Sequence, residues 1–255
     1  MDDKKDELRD IRDIKNVLYI NLDSRVDRKN NVENELGKIG LIGERFSAVT
    51  NQKGYIGCTM SHIRCLEIAK ERGLDHILIV EDDILFTKPD VFIDQLNKFL
   101  KSEKEFDVLL LAGNNYKPYL YIDEFCVQVN NCQTTTGYLV KNHYYDKLID
   151  NYKLGLNNLI KFNKDQYCID QYWKNLQKSD KWFLITPLTV TQRESYSNIE
   201  NKNVKYDWLM LDLEKNGNIG NNIGNIRNIR NVRNVNNNMI PNRNMIYTGF
   251  GRKFL

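Results

Sequence analysis

The chain has 255 residues, 37 basic and 34 acidic, with a net charge of +3 and a pI near 8.4. At 41% hydrophobic and 28% charged residues it has the make-up of an ordinary globular protein of one large or two small domains. No apolar run approaches the roughly 18–20 residues of a membrane helix, the charged start Met1–Glu7 is not a secretory leader, and five cysteines with no Cys-x-x-Cys pair argue against a disulfide framework or a zinc site and for a reducing, cytoplasmic setting.

In chain order, Val17-Leu18-Tyr19-Ile20 reads as a buried strand that ends in the polar turn Asn21-Leu22-Asp23. A charged helix follows from Asp27 to Leu36 and stops at Gly37 and Gly40. Arg45 to Val49 reads as a second strand, and Thr59 to Arg72 as a helix closed by Gly73. His76 to Val80 is apolar along its length, which suits a parallel strand covered on both faces. Pro89 opens a helix to about Leu100, and Asp107 to Leu111 is a fourth strand. From Tyr119 to Val140 the chain turns to short β-like runs, Cys168 to Gln177 reads as helical, and Trp182 to Ile185 as a late strand stopped by Pro187. Strands alternating with helices predict an α/β fold with an open, twisted, mostly parallel sheet. Neither G-x-G-x-x-G nor G-x-x-x-x-G-K-[ST] occurs.

Beyond Glu214 there is no acidic residue, while Lys215, five arginines from Arg227 to Arg252, and Lys253 make that stretch +7 and leave −4 for the rest. It contains a period-three repeat, Asn225-Ile226-Arg227 through Asn231-Val232-Arg233, which fits neither a helix face nor a strand face. It reads as a solvated low-complexity extension, or as a basic arm for an acidic partner. No aromatic residues interleave with the arginines of the repeat, so nucleic acid is not expected.

Val80-Glu81-Asp82-Asp83 is the most informative segment. Three carboxylates follow directly on a buried strand, and ligands of α/β sheets bind at the carboxyl ends of strands. In an extended backbone Glu81 and Asp83 point one way and Asp82 the other. Like charges crowd unfavourably unless a cation neutralises them, and an all-oxygen set suits Mg²⁺ or Mn²⁺. The alternative is a solvated acidic turn.

Several blocks in order then resemble glycosyltransferase family 25, the group of bacterial lipooligosaccharide β-galactosyltransferases and collagen galactosyltransferases. Tyr19 to Arg28 resembles its opening "INLD-x-R-x-DR", Arg45 to Val49 its "RF-x-A", Gly57-Cys58-Thr59-Met60-Ser61-His62 its "GC-x-x-SH", and Ile79 to Ile84 its "LEDD". Gly137 to Val140, Asp170 to Trp173, and Gln192 with Ser197-Asn198-Ile199 resemble later blocks, with Asn198 where an Asp is usual. Cys168 to Trp173 is similar to the branch found in large DNA viruses, which would place a virus-encoded enzyme in host cytoplasm. The resemblance covers about residues 16–200. It implies a GT-A-type nucleotide-sugar domain over 14–212, between a charged N-terminal extension, 1–13, and the Asn-rich tail, 213–255.

The resemblance implies inverting transfer of galactose or glucose from a UDP-hexose to a hydroxyl on a glycan or protein, with Mn²⁺ or Mg²⁺ as cofactor. Asp83, with Glu81, would hold the metal. Asp170 would be the catalytic base, with Asp165 in reserve; the plain alternative for Asp170 is a charge at a helix start. Donor contacts would come from Asn21, Asp23, Arg28, Ala48, Ser61, His62, Glu81 and Asp82. Against this, Arg25 reads as a solvated charge and Ala48 as ordinary core. Cys58, His62, Cys65 and Ala69 share one helical stripe, which makes His62 a core residue by default. His76 and His143 are assigned to structure, and Cys126, Cys132 and Cys168 to packing. Thr134-Thr135-Thr136-Gly137 would shape the donor-sugar pocket, and Gln192 would hydrogen-bond a phosphate or the acceptor. Two further readings remain: a non-catalytic UDP- or sugar-binding module, and a metal-dependent nucleotidyltransferase or phosphohydrolase. The sequence does not give the oligomeric state.

Overall fold

A computed structural model describes residues 8–197, 202–204 and 206–215. The chain divides into two units, Met1–Asn216 and Gly217–Leu255. The second unit, which holds the Asn-Ile-Arg repeat, lies outside the described residues, as do Asn198 and Ile199 of the closing motif.

The strands are β1 Val17–Asn21, β2 Glu44–Ser47, β3 His76–Glu81, β4 Ile84–Phe86, β5 Val108–Leu110, β6 Asn114–Asn115, β7 Leu120–Asp123, β8 Cys126–Gln128, β9 Cys132–Gln133, β10 Gly137–Lys141, β11 Trp182–Ile185 and β12 Val190–Gln192. A backbone ladder also pairs Ser195–Ser197 with Lys202–Val204. The helices are α1 Val26–Lys38, α2 Gly54–Glu71, α3 Pro89–Lys101, α4 Tyr145–Phe162, α5 Ile169–Tyr172, α6 Lys174–Gln177 and α7 Asp207–Met210. One eight-stranded sheet has the order β2-β1-β3-β10-β5-β11-β8-β7.

Strand alternation builds three layers. Val17, Tyr19, Leu78, Val80, Leu109, Leu139 and Phe183 face one core with α1 and α3. Leu18, Ile20, Ile77, Ile79, Leu110, Tyr138 and Leu184 face the other, with α2 and α4. Both faces are covered, so these strands read as unbroken apolar runs. Burying each such side chain stabilises the fold by about 1.5–3 kcal/mol before chain entropy is set against it.

The expected α/β sheet flanked by helices is present, but its middle is mixed. β1, β2 and β3 run parallel, as do β5 and β11, while β10 is antiparallel to both β3 and β5. The chain leaves the carboxyl end of β5, folds back through β6 to β9, and enters β10 from that same edge. The start of β10 therefore lies beside the ends of β3 and β5, where parallel sheets bind ligands.

Helix α2 begins at Gly54, five residues ahead of the sequence expectation, with no side-chain cap. Gly54 and Gly57 are poor helix formers, but packing decides: a Cβ on Gly57 would lie 2.4 Å from the Val49 carbonyl oxygen. Of the charged N-terminal segment, Leu8 and Ile11 are buried in the core beside Ile14, and Asp10 caps the 3₁₀ turn Ile11–Asp13. No helix among the described residues is long and apolar enough to cross a membrane.

Candidate functional site

The end of β3 is a turn, not an extended segment: β3 stops at Glu81, and Asp82-Asp83 lead directly into β4. The alternating orientation expected from an extended backbone is lost. Asp82 and Asp83 share one guanidinium nitrogen, Arg28 Nη1, at 2.8 and 3.2 Å. The β4–β12 ladder holds the turn from behind, and the Arg193 amide donates to the Asp83 carbonyl at 2.6 Å. Buried Glu35 on α1 anchors that ladder by accepting from the Phe86 amide and from Arg193.

The three carboxylates have different surroundings. Asp82 accepts from Arg28 on Oδ1 and from Asn21 Nδ2, 2.8 Å away, on Oδ2. Burial nonetheless raises its carboxyl above the ordinary range. Glu81 Oε1 accepts from Thr135 Oγ1 at 2.7 Å and lies 3.2 Å from His62 Nε2, and Oε2 accepts from Gln192 Nε2 at 3.2 Å. Burial pushes the Glu81 carboxyl up, but His62, Thr135 and the Arg28 charge outweigh it, and the net direction is down. Asp83 is pushed up to about 7 by burial and by the charges of Glu81 and Asp82, with Arg28 opposing. Its Oδ1 is buried without a hydrogen-bond partner. Of the carboxylate oxygens in this turn, that atom alone has none.

An orphaned buried carboxylate oxygen fits a hard divalent cation. Asp83 is therefore the residue that fits such an ion. Glu81, expected to share it, turns Oε1 toward Thr135 and His62 and Oε2 toward Gln192.

The other expected residues fall into two groups. Asn21, at the end of β1, is buried and joins Asp82 to Arg45, whose Nε donates to Asn21 Oδ1 at 3.0 Å. Asp23 is exposed and held below the usual carboxylate range by Arg45 and Ser47. Ala48 is half-buried just past β2, its amide bonded to the Asn21 carbonyl. Ser61 is wholly buried; its hydroxyl donates to the Gly57 carbonyl and accepts from the Val49 amide, both at 2.8 Å. His62 is wholly buried between Tyr138 and Glu81. The polar atoms of Ser61 and His62 are thus taken up within the protein.

Asp170 lies in the first turn of α5 and accepts the Thr134 amide at 3.1 Å. Burial raises its carboxyl, the Thr134 bond and Lys174 oppose this, and the Glu81 charge adds to it. Asp165 is exposed on a separate 3₁₀ turn. Thr134 has φ +77°, a left-handed conformation that is rare for a β-branched residue and often found at functional sites.

Sequence reading missed Asn114 and Asn115 just past β5. Asn115 is wholly buried, with neither amide atom hydrogen-bonded, and Asn114 Oδ1 has no partner. Thr134 Oγ1 and Thr136 Oγ1 are likewise buried and unpartnered. An Asn-Asn pair ending an apolar strand was the available signal.

Residues 51–131 match the family model of glycosyltransferase family 25 (LPS biosynthesis protein). That stretch is similar to glycosyltransferase family 25 sequence. It contains the Gly57–His62 and Glu81–Asp83 motifs. The Asn21–Arg28 and Asp170 blocks lie outside it and stand on their motifs. No curated protein matches the chain. Similar solved structures include mannose-1-phosphate geranyltransferase from Thermus thermophilus, at 8% identity over 66% of this chain and 72% of that one, TM-score 0.37. A glycosyltransferase involved in glycosylation of the major capsid of PBCV-1 shares 8% identity over 67% of this chain and 91% of that one, TM-score 0.33. A putative glucose-1-phosphate thymidylyltransferase from Bacillus anthracis shares 16% over 68% and 69%, TM-score 0.35. Likenesses of this size say nothing of what this chain binds.

Proposed function

We propose that this chain belongs to family 25 and is a metal-dependent inverting hexosyltransferase, moving galactose or glucose from a UDP-sugar to a hydroxyl on a glycan or protein. The observation that carries this reading is Asp83 Oδ1, a buried carboxylate oxygen without a hydrogen bond at a strand end. Asp83 would hold Mn²⁺ or Mg²⁺, which when bound supplies Lewis-acid neutralisation of the leaving diphosphate. Arg28 keeps Asp82 and Asp83 together in the turn. Asn21 and Asp23 edge the nucleotide side, and Ala48 leaves room there for the base. Asp170 takes the proton from the acceptor hydroxyl; burial makes it a stronger base than an exposed carboxylate, and the Thr134 amide fixes its orientation. Ser61 holds the Val49 loop and His62 holds Glu81, which makes both positioning residues.

The test is product release from a panel of UDP-sugars, with and without Mn²⁺, for wild type and Asp83→Asn. Metal-dependent UDP release from one sugar, lost in the variant, is the expected result. Pyrophosphate or phosphate release would favour a nucleotidyltransferase or phosphohydrolase. UDP binding with no release, even with acceptors supplied, would favour a binding module.

A further inference from the structure

We infer that Cys58, His62 and Glu81 form a second cation site, for a thiophilic ion such as zinc, distinct from the hard-cation position at Asp83. The spacing of the cysteines argues against zinc, but the fold assembles a mixed set that no local motif displays. Cys58 and His62 lie four residues apart on α2, so they stand on one face, and that face meets the end of β3. Their ligand atoms and a Glu81 carboxylate oxygen all lie within 4.8 Å of one another. Glu81 Oε1 is 3.8 Å from Cys58 Sγ and 3.2 Å from His62 Nε2. With bonds of about 2.0–2.3 Å, neighbouring ligands around tetrahedral zinc stand roughly 3.2–3.8 Å apart. The cluster is thus near the required size before any ion enters.

Two further features favour the assignment. His62 Nδ1 is tied to Tyr138 Oη at 2.8 Å, which aims Nε2 at the cluster in the manner of outer partners that orient metal-bound imidazoles. The Glu81 side chain keeps 20% exposure while His62 has none, so the site has one open side for entry and for a water as fourth ligand. Thiolate, imidazole and carboxylate together suit Zn²⁺ or Co²⁺, whereas Asp83 offers oxygen alone. On binding, the Cys58 proton leaves to solvent, and a tautomer with the proton on Nδ1, donating to Tyr138, frees the Nε2 lone pair.

The experiment is Co²⁺ titration of the full-length, metal-free chain, followed by absorbance and by competition with Zn²⁺. The expected spectrum has an intense thiolate-to-cobalt band in the near ultraviolet and tetrahedral visible bands, saturates at one ion per chain, and is erased by Zn²⁺. Cys58→Ser abolishes the near-ultraviolet band and weakens Zn²⁺ at least tenfold, Cys168→Ser retains both, and Asp83→Asn retains the band. Circular dichroism of Cys58→Ser checks that it folds. Should it not fold, His62→Gln serves instead and is expected to lose the tetrahedral visible bands. A spectrum without a thiolate band, or one unchanged in Cys58→Ser, overturns the assignment whether or not the chain transfers sugar.

Discussion

Two stretches of one sheet edge solve the problem of buried polarity differently. On the β1 side, Asn21, Asp82 and Arg28 are joined by hydrogen bonds of 2.8 Å, and Glu35 accepts from Phe86 and Arg193. From Asp83 in the turn after β3 to the segments that flank β5 and β10, Asp83 Oδ1, both amide atoms of Asn115, and the Thr134 and Thr136 hydroxyls are buried without partners. An unmet buried polar group costs about 1–3 kcal/mol. The first region is therefore scaffold, whose polar groups stabilise the fold through one another. The second gives up stability to keep polar atoms available, and ligand chemistry is to be sought there.

Substitutions can break this contrast. Asp170→Asn should have the largest effect, lowering turnover by about 10²–10⁴-fold as general bases do, with UDP affinity held within twofold by calorimetry. An equal loss of UDP affinity would make Asp170 a donor-binding residue. Gly57→Ala forces a Cβ against the Val49 carbonyl and should destabilise by about 3 kcal/mol in urea unfolding. A neutral result would mean that the Val49 loop yields freely. Asp82→Asn removes an acceptor from Arg28 in the paired region and should cost about 1–3 kcal/mol. Asn115→Leu, in the unpaired region, should leave stability unchanged or raise it by about 1–3 kcal/mol, because an unmet buried amide is removed and no hydrogen bond is lost, while weakening donor binding. If Asn115→Leu proved as destabilising as Asp82→Asn, the two regions would not differ as described.

Much of the scaffold was legible in the sequence because its signals are local. Val17–Ile20, His76–Val80 and Trp182–Ile185 are apolar runs of strand length, and Pro89 and Gly73 mark helix ends. The antiparallel β10 was not legible, since its direction depends on the return path of the whole Asn114–Thr136 excursion. Helix α4 was not predicted, although Tyr145, Leu148, Ile149, Tyr152 and Leu159 recur at helical spacing. Within the site, Asp83 was singled out by type and position, and Asp170 by its resemblance to a late acidic block of family 25. Their surroundings were not, because Thr135, Gln192 and Tyr138 reach Glu81 and His62 from 54, 111 and 76 residues away. Charge at a strand end can be read in sequence, but which oxygen is left unpaired depends on such long-range bonds.

The central claim is that Asp83 holds the functional cation. The most direct measurement is calorimetric titration of UDP into the full chain with and without Mn²⁺, comparing wild type with Asp83→Asn. Mn²⁺ should tighten UDP binding at least tenfold in wild type and leave the variant unchanged, while both melt at similar temperatures. An equal Mn²⁺ effect in both proteins, or none in wild type, would contradict the account.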